Sequence, residues 1–222
     1  MNSPPPNEVR LHVWGDFACF TRPEMKVERV SYDVMTPSAA RGILEAILWK
    51  PAIRWEVHRI DVLRPIRWIS VRRNEVGAVA PTRSVAAAMQ GSGALGMYVE
   101  EERQQRAGLF LRDVGYVIHA RFRITGRAGR EDNPAKFADM FRRRAARGQC
   151  FNQPYLGCRE FAAYFAPADG DAPAPVDETC DLGWMFHDLE YEGGTTAPRF
   201  FRARLQGGVL EVPPLGGEEV RT

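Results

Sequence analysis

The chain has 222 residues, 45% of them hydrophobic and 26% charged, which is typical of a globular protein with one large domain or two small ones. No apolar run reaches the about 18 residues of a membrane span, and the N-terminal residues lack the apolar stretch of a secretory signal. We therefore expect a cytoplasmic protein without membrane contact. The net charge of +2 hides an asymmetry, because residues 1–130 hold 20 basic against 13 acidic side chains, whereas residues 131–222 hold 10 against 15.

The first 62 residues predict a strand, a helix and a second strand. "VRLHVWGDFACF" alternates hydrophobic and polar side chains, as a half-buried strand does. "TPSAARGILEAILWK" predicts a helix with Thr36 as N-cap and Pro37 at its first position. We expect it to end at Lys50, because the residue before a proline disfavours helical geometry. In the strand "AIRWEVHRIDVL", three hydrophobic side chains should face inward, namely Ile53, Trp55 and Val57.

A long segment without clear periodicity follows a third predicted strand at "IRWISV". It runs from Asn74 to Leu109, is rich in Gly, Ala and Arg, and has the length of a functional or mobile connection. Within it, "GSGALG" matches the G-x-G-x-x-G pattern of nucleotide-binding loops. However, the helix-like "SVAAAMQ" precedes it, where that fingerprint requires a strand. A nucleotide-dependent enzyme is therefore the least favoured function, and we expect no cofactor.

The remaining residues predict one more strand, "GYVIHARFRI", a second helix capped by Asn133 and Pro134 and ended by Gly148, and the strand "CREFAAYFAP". This order is close to a ferredoxin-like α+β plan, which RNA-recognition modules also use. Three further strands are expected in the acidic C-terminal residues. We predict a basic core over 1–130, a second helix and last core strand over 131–167, and a small β-rich part over 168–222.

The strand "GYVIHARFRI" carries His119, Arg121 and Arg123 on one face, because strand side chains alternate. A solvated sheet face is the structural explanation for such a stripe. The functional one is cleavage of RNA, in which flanking cations favour the neutral form of His119 and the imidazole takes the proton of a 2′-hydroxyl. Arg121 cannot act as a base, but it can neutralise charge on the phosphorane. We therefore predict His119 and Arg121 as the catalytic residues.

Basic side chains elsewhere are candidates for phosphate contacts, because 27 of the 30 basic residues are arginine, whose planar guanidinium suits phosphate. Codon preference in a high-GC genome is an alternative cause of that excess. The two candidates at the end of the second helix could instead complement its dipole. The four cysteines form no C-x-x-C pair, so we expect free thiols and no metal site. The predicted RNA-binding residues are Arg22, Lys26, Arg29, Lys50, Arg103, Arg106, Arg123, Arg142 and Arg143.

Three stretches resemble a known family. "GDFACFTRPEMKVERVSYDVMTPSAARGILEAILWKPAI", "RQQRAGLFLRDVGYVIHARF" and "GQCFNQPYLGCREF" are similar to the type I-C CRISPR repeat-processing subunit of the repeat-associated mysterious protein superfamily. The resemblance implies a modified ferredoxin-like domain with a β-rich C-terminal part. It also implies recognition of the CRISPR repeat hairpin, cleavage at its 3′ side without metal, and retention of the guide RNA in a surveillance complex with backbone and large subunits.

The chain departs from the family pattern at the implied catalytic positions. Leu48 occupies the place of a frequent tyrosine, just before a Trp-Lys-Pro sequence. Arg121 stands where the family commonly has its histidine, His119 lies two residues earlier on the same face, and that strand has no lysine. The alternative function is therefore an RNA-binding assembly subunit with weak or no cleavage activity, and a basic face could also bind duplex DNA.

Overall fold

The computed structural model describes residues 5–25, 27–93, 95–168, 173–192 and 195–222. Three helices and nine strands are formed by these residues, and the strands make one sheet. The helices are α1 (Pro37–Ile47), α2 (Thr82–Met89) and α3 (Pro134–Ala146). The strands are β1 (Glu8–Ala18), β2 (Ile53–Val62), β3 (Trp68–Val76), β4 (Arg103–Ile124), β5 (Tyr164–Pro167), β6 (Cys180–Glu192), β7 (Thr195–Gln206), β8 (Val209–Glu211) and β9 (Val220–Arg221).

Four strands and two helices make the expected ferredoxin-like core. The strands lie in the order β5-β1-β4-β2, and each neighbouring pair is antiparallel. Leu11, Ile118 and Ile60 lie side by side on β1, β4 and β2 and are fully buried. α1 and α3 cover this face; for example, Phe137 of α3 packs against Phe122 of β4. The predicted α+β fold class is confirmed.

Both predicted helix starts are confirmed, but α1 is shorter than expected. The Thr36 hydroxyl accepts a hydrogen bond from the Ala39 amide, as an N-cap does. α1 ends at Ile47 and not at Lys50. The reason is tertiary, because Arg144 of α3 donates to the Ile47 carbonyl and the Trp55 indole donates to the Leu48 carbonyl. These side chains satisfy carbonyl groups that another helical turn would have used.

The C-terminal strands extend the same sheet. β8 pairs with β2 over Arg59 to Asp61, and β7 and β6 follow outward in the order β2-β8-β7-β6. The three strands predicted in this part are confirmed, and β9 is an additional short strand on β7. The acidic residues therefore continue the sheet of the basic core, and the division at 130 and 167 stays a prediction.

The segment Asn74–Leu109 is more regular than the sequence suggests. β3 continues to Val76 and pairs with the first part of β4, so paired strands replace both ends of the expected loop. α2 lies near its tip and buries none of its side chains. Because α2 and not a strand precedes "GSGALG", the interpretation of that motif as a loop without a dinucleotide fingerprint holds.

The strand predicted at "CREFAAYFAP" is the least accurate prediction. Only Tyr164–Pro167 forms β5, because the preceding residues fold back on themselves. The Leu156 amide donates a hydrogen bond to the Phe161 carbonyl, and the Ala163 amide donates one to the Pro154 carbonyl.

The four cysteines are free, as expected, but only Cys19 is fully buried. Among the described helices, none has the length and apolar character needed to cross a membrane.

Candidate nucleic-acid interface and cleavage site

β4 carries the candidate catalytic residues on the face turned away from the helices. The predicted alternation holds, since Tyr116, Ile118 and Phe122 are buried on the helix side. His119 lies on the opposite face, between Arg10 of β1 and Arg59 of β2. We call this side of the sheet the outer face. Arg121 and Arg123 follow His119 along it, as the sequence predicts.

A buried carboxylate orients His119. Its Nε2 lies 2.8 Å from Oδ2 of Asp61, whose other oxygen accepts a 2.6 Å hydrogen bond from Arg59. The exposed fraction of the side chain is 12% for His119 and 6% for Asp61. Burial alone would raise the pKa of Asp61, but the hydrogen bonds from His119 and Arg59 more than compensate and lower it. Asp61 therefore stays ionised and fixes the ring of His119.

This arrangement differs from the environment that the sequence suggested for His119. We expected flanking cations to favour the neutral imidazole, but the group that touches the ring is the Asp61 carboxylate. When Nε2 donates to that carboxylate, the neutral ring keeps its lone pair on Nδ1, which has no hydrogen-bond partner among the described residues. The carboxylate also stabilises the imidazolium that forms once Nδ1 has taken a proton.

A β-bulge in β2 brings Asp61 to this face. Ile53, Trp55 and Val57 point inward as predicted, but the register with β4 shifts between Val57 and Arg59. Beyond the shift, even-numbered residues point inward and Asp61 points outward. The sequence holds a signal for this shift, because its inward hydrophobic residues pass from odd to even positions at Ile60 and Val62. That signal could have identified Asp61, which the sequence-based prediction missed.

Arg121 and Arg123 share one acidic partner, Glu56 of β2. The Nε–Oε distances are 3.1 Å from Arg121 and 2.5 Å from Arg123. Both guanidinium groups stay half-exposed or more, with exposed side-chain fractions of 50% and 66%. Two cations against one carboxylate leave a net positive charge beside His119. Because such exposed pairs are worth only about 0–1 kcal/mol, a phosphate can compete for these arginines.

His58 is a second histidine close to His119. It lies at the bulge, and its ring centroid is 6.2 Å from that of His119. Its Nε2 is 3.6 Å from the Glu8 carboxylate. Burial lowers the pKa of His58, Glu8 opposes this, and the charges of His119 and Arg121 add to the lowering. His58 is therefore a neutral imidazole at neutral pH.

A cleft of about 510 Å³ opens beside these residues, between β2, the start of α1, β6 and the loop 213–216. His58, Glu56, Arg121 and Arg123 line it. The cleft exists because β8 pairs with β2 only from Arg59 onward, so the first half of β2 is a free edge within the described structure. It offers space for a nucleotide next to the positive charge of β4.

Two predicted RNA-binding residues belong to an internal ion network at the β3–β4 hairpin. Arg29 lies 3.0 Å from both Glu75 and Glu160, and Arg106 lies 3.3 Å from Glu75. Arg73 joins the same two carboxylates. Their guanidinium groups tie the hairpin to the loop that holds Glu160. A role of Arg29 and Arg106 in RNA binding stays a prediction, and these pairs would compete with it.

Two further candidates, Arg22 and Arg103, lie in different parts of the described structure. Arg22 pairs with Asp33 at 2.9 Å and stacks on the Tyr32 ring. Arg103 is exposed at the start of β4 and forms no ion pair in the described residues. Lys26 lies outside the described residues. The structure therefore does not gather Arg22 and Arg103 around His119.

The other three candidates lie toward the helices. Arg142 reaches back from α3 to the Glu8 carbonyl at 3.3 Å, and Arg143 is in the last turn of that helix, where it complements the helix dipole. Lys50 is exposed just after α1. Since α3 covers the face opposite to His119, Arg142 and Arg143 are separated from the candidate cleavage site by the sheet.

Leu48 lies apart from His119. Its side chain is fully buried in the core on the helix side, whereas His119 is on the outer face. A tyrosine here would have to fit into the packed core and would not extend to His119. The departure at Leu48 therefore does not by itself explain a change at the His119 site.

Among the described residues, no group of three or more His, Cys, Asp or Glu side chains could hold a metal ion.

The chain is similar in sequence to two curated proteins along almost its whole length. It is 55% identical to the CRISPR pre-crRNA endoribonuclease Cas5d of Mannheimia succiniciproducens, over 97% of this chain and 99% of that protein. It is 44% identical to the protein of the same name from Thermus thermophilus, over 92% of this chain and 91% of that protein.

Solved structures share the fold. A crystal structure of a CRISPR-associated protein superposes with a TM-score of 0.68 at 23% identity, over 97% of this chain and 96% of that one. A functionally uncharacterised protein of Streptococcus mutans, SMU1763c, gives 0.66 at 22% identity, over 97% of both chains. The family model Cas_Cas5d, described as CRISPR-associated protein (Cas_Cas5), matches residues 8–213. Together with the relatives at 55% and 44% identity, this match shows that the chain belongs to the Cas5d family of CRISPR-associated proteins.

Proposed function

We propose that this protein binds the CRISPR repeat RNA and cleaves the precursor at the 3′ side of the repeat hairpin. The guide RNA then stays bound, and the protein assembles in the cytoplasm with the backbone and large subunits of a type I-C surveillance complex. The names of both curated relatives support the RNA-processing role. A solved CRISPR RNA-guided surveillance complex contains a chain of the same fold, with a TM-score of 0.50.

The observation that carries the proposed chemistry is the Asp61–His119 pair beside Arg121. Nδ1 of His119 takes the proton of the 2′-hydroxyl, and the 2′-oxygen attacks the adjacent phosphorus. The bond from phosphorus to the 5′-oxygen breaks, and a proton from water completes the new 5′-hydroxyl. Arg121 leaves Glu56 and neutralises the phosphorane oxygens. The products are a 2′,3′-cyclic phosphate and a 5′-hydroxyl.

This chemistry requires no metal, because a positioned base and a guanidinium supply proton transfer and charge neutralisation. The test is to incubate the full chain with labelled repeat RNA in EDTA and in magnesium, and to determine the ends of the products. We expect equal rates and 5′-hydroxyl ends. A 2′-deoxynucleotide at the cleavage position should abolish the reaction. Products with 5′-phosphate, or strict dependence on magnesium, would contradict the proposal.

The second candidate is an RNA-binding subunit without cleavage activity, which could also bind duplex DNA through its basic face. The observation in its favour is the small exposed fraction of His119, 12%, which leaves little of the ring for a substrate. The same incubation separates the two functions. A protein that binds the hairpin tightly, but leaves it intact both in EDTA and in magnesium, would be this assembly subunit.

A further inference from the structure

Three aromatic rings lie in a row on the outer face, next to the His119 region but outside it. Trp14 of β1 is directly opposite Tyr164 of β5, and their ring centroids are 6.0 Å apart at an angle of 26°. His12 continues the row, with its ring 4.6 Å from that of Trp14. The row runs along the sheet toward Arg10, which is paired in register with His119.

Small residues on both sides keep the row accessible. Gly115 of β4 is opposite Trp14, and Ala166 of β5 is opposite His12. Tyr164 is 56% exposed, and Trp14 and His12 are half-buried. None of the three rings belongs to the hydrophobic core, so the fold does not require aromatic side chains at these positions.

A cation completes this surface. The aliphatic part of Arg64 lies over Gly115, where a β-carbon would come within 3.4 Å of it. Its guanidinium is 4.0 Å from Asp113 and half-exposed, so that contact contributes little. The charge of Arg64 also acts on the row. Burial is the main cause that lowers the pKa of His12, and the positive charge of Arg64 lowers it further. His12 is thus a neutral, flat ring beside a positive charge.

We propose that Trp14, Tyr164 and His12 form a stacking platform for an unpaired nucleobase of the repeat RNA, with Arg64 at the neighbouring phosphate. Bases stack on exposed aromatic rings of a sheet without regard to sequence, and nearby guanidinium groups bind the backbone. The occupant is RNA and not a protein segment, because the row is flanked by cations and continues in register to His119. Arg10 is about 13 Å along β1 from Trp14, so the platform holds a nucleotide close to the cleavage site.

This inference rests on the proposed function for the identity of the RNA. The experiment measures affinity of the full chain for the repeat RNA by fluorescence anisotropy, comparing Trp14→Ala and Tyr164→Ala with the unmutated protein. Stacking contributes about 5- to 150-fold in affinity for each base, so we expect losses in this range. Trp184→Ala is the matched control, since Trp184 is 51% exposed on β6 and lies outside the row. It should bind normally.

Abasic RNA identifies the base that stacks. Among repeat RNAs with one abasic nucleotide each, we expect one position that weakens binding of the unmutated protein but has no further effect on Tyr164→Ala. Trp14→Phe should retain most of the affinity, which separates loss of stacking from misfolding. Unchanged affinity in both alanine variants would overturn the platform alone. If the unmutated protein fails to bind the repeat RNA, the proposed function falls, and the platform with it.

Discussion

Replacing His119 by glutamine removes the proposed base while keeping a donor for Asp61. The amide nitrogen of glutamine can occupy the place of the imidazole Nε2, which lies 2.8 Å from the Asp61 carboxylate. A general base contributes about 10²- to 10⁴-fold to a rate, so His119→Gln should slow cleavage at least about 10²-fold, equivalent to about 2.7 kcal/mol in the activation free energy. RNA affinity should change little, because phosphate contacts dominate it.

His119→Ala should slow cleavage equally but also destabilise the fold. It leaves Asp61, 6% exposed, with Arg59 as its hydrogen-bond donor, and a lost buried partner costs about 1–3 kcal/mol in the free energy of unfolding. Single-turnover cleavage and urea denaturation measure the two effects separately. Arg202→Ala serves as a control, since this exposed arginine pairs with Asp181 on the C-terminal hairpin.

Normal cleavage by His119→Gln would refute this reasoning. The base would then be His58, which lines the cleft. The structure disfavours two tyrosines as an alternative base. Tyr116 is buried on the helix side, where burial raises the pKa of its hydroxyl, and Tyr98 lies on the hairpin beyond α2.

Arg121→Ala should reduce both RNA affinity and cleavage rate, because the charge of Arg121 faces the RNA before and during the reaction.

Three further predictions concern the whole protein. If RNA binding neutralises about five phosphates, the logarithm of the binding constant should fall with the logarithm of the salt concentration, at a slope of about −3 to −5. A slope near zero would contradict a basic interface. Hydrogen exchange without RNA should be fast across residues 78–102 and slow where β3 pairs with β4; strong protection of α2 would contradict this. Finally, the free energy of unfolding should decrease from pH 7.5 to pH 5.5, because over this range the unfolded chain binds protons that the folded chain does not. Urea denaturation measures this free energy, and the same value at both pH values would refute the prediction. The responsible histidines have pKa values that burial lowers, namely His12, His58 and His187.

Local chemistry made the helix starts, the end of α3 and the two faces of β4 predictable. Thr36 and Asn133 accept the expected hydrogen bonds at the helix starts, and Gly148 adopts a φ of +63° just beyond α3. These signals depend on a few neighbouring residues and need no knowledge of tertiary contacts. The face that carries His119, Arg121 and Arg123 followed in the same way from alternation alone.

Pairing between distant strands was not predictable from such signals. The hairpin of β3 and β4 was missed because its residues up to Val76 and from Arg103 have mixed polarity, and they gain their order from each other. Likewise, the sequence places Glu56 and Arg121 on polar faces but does not say that they meet. The charge balance around His119 therefore could not be predicted from β4 alone, since the groups that balance its charges lie on β2.

The bulge at His58 connects the catalytic geometry to the acidic C-terminal part. Directly after it, β2 gains a new neighbour, because Arg59 pairs in register with Glu211 and the Val212 amide donates to the His58 carbonyl at 3.0 Å. The backbone that aims Asp61 at His119 is thus held on one side by β4 and on the other by β8. Without β8, the bulged strand would be a free edge where its register could slip, and a slip of one residue would turn Asp61 toward the core. The C-terminal strands therefore stabilise the orientation of the proposed base through the backbone of β2.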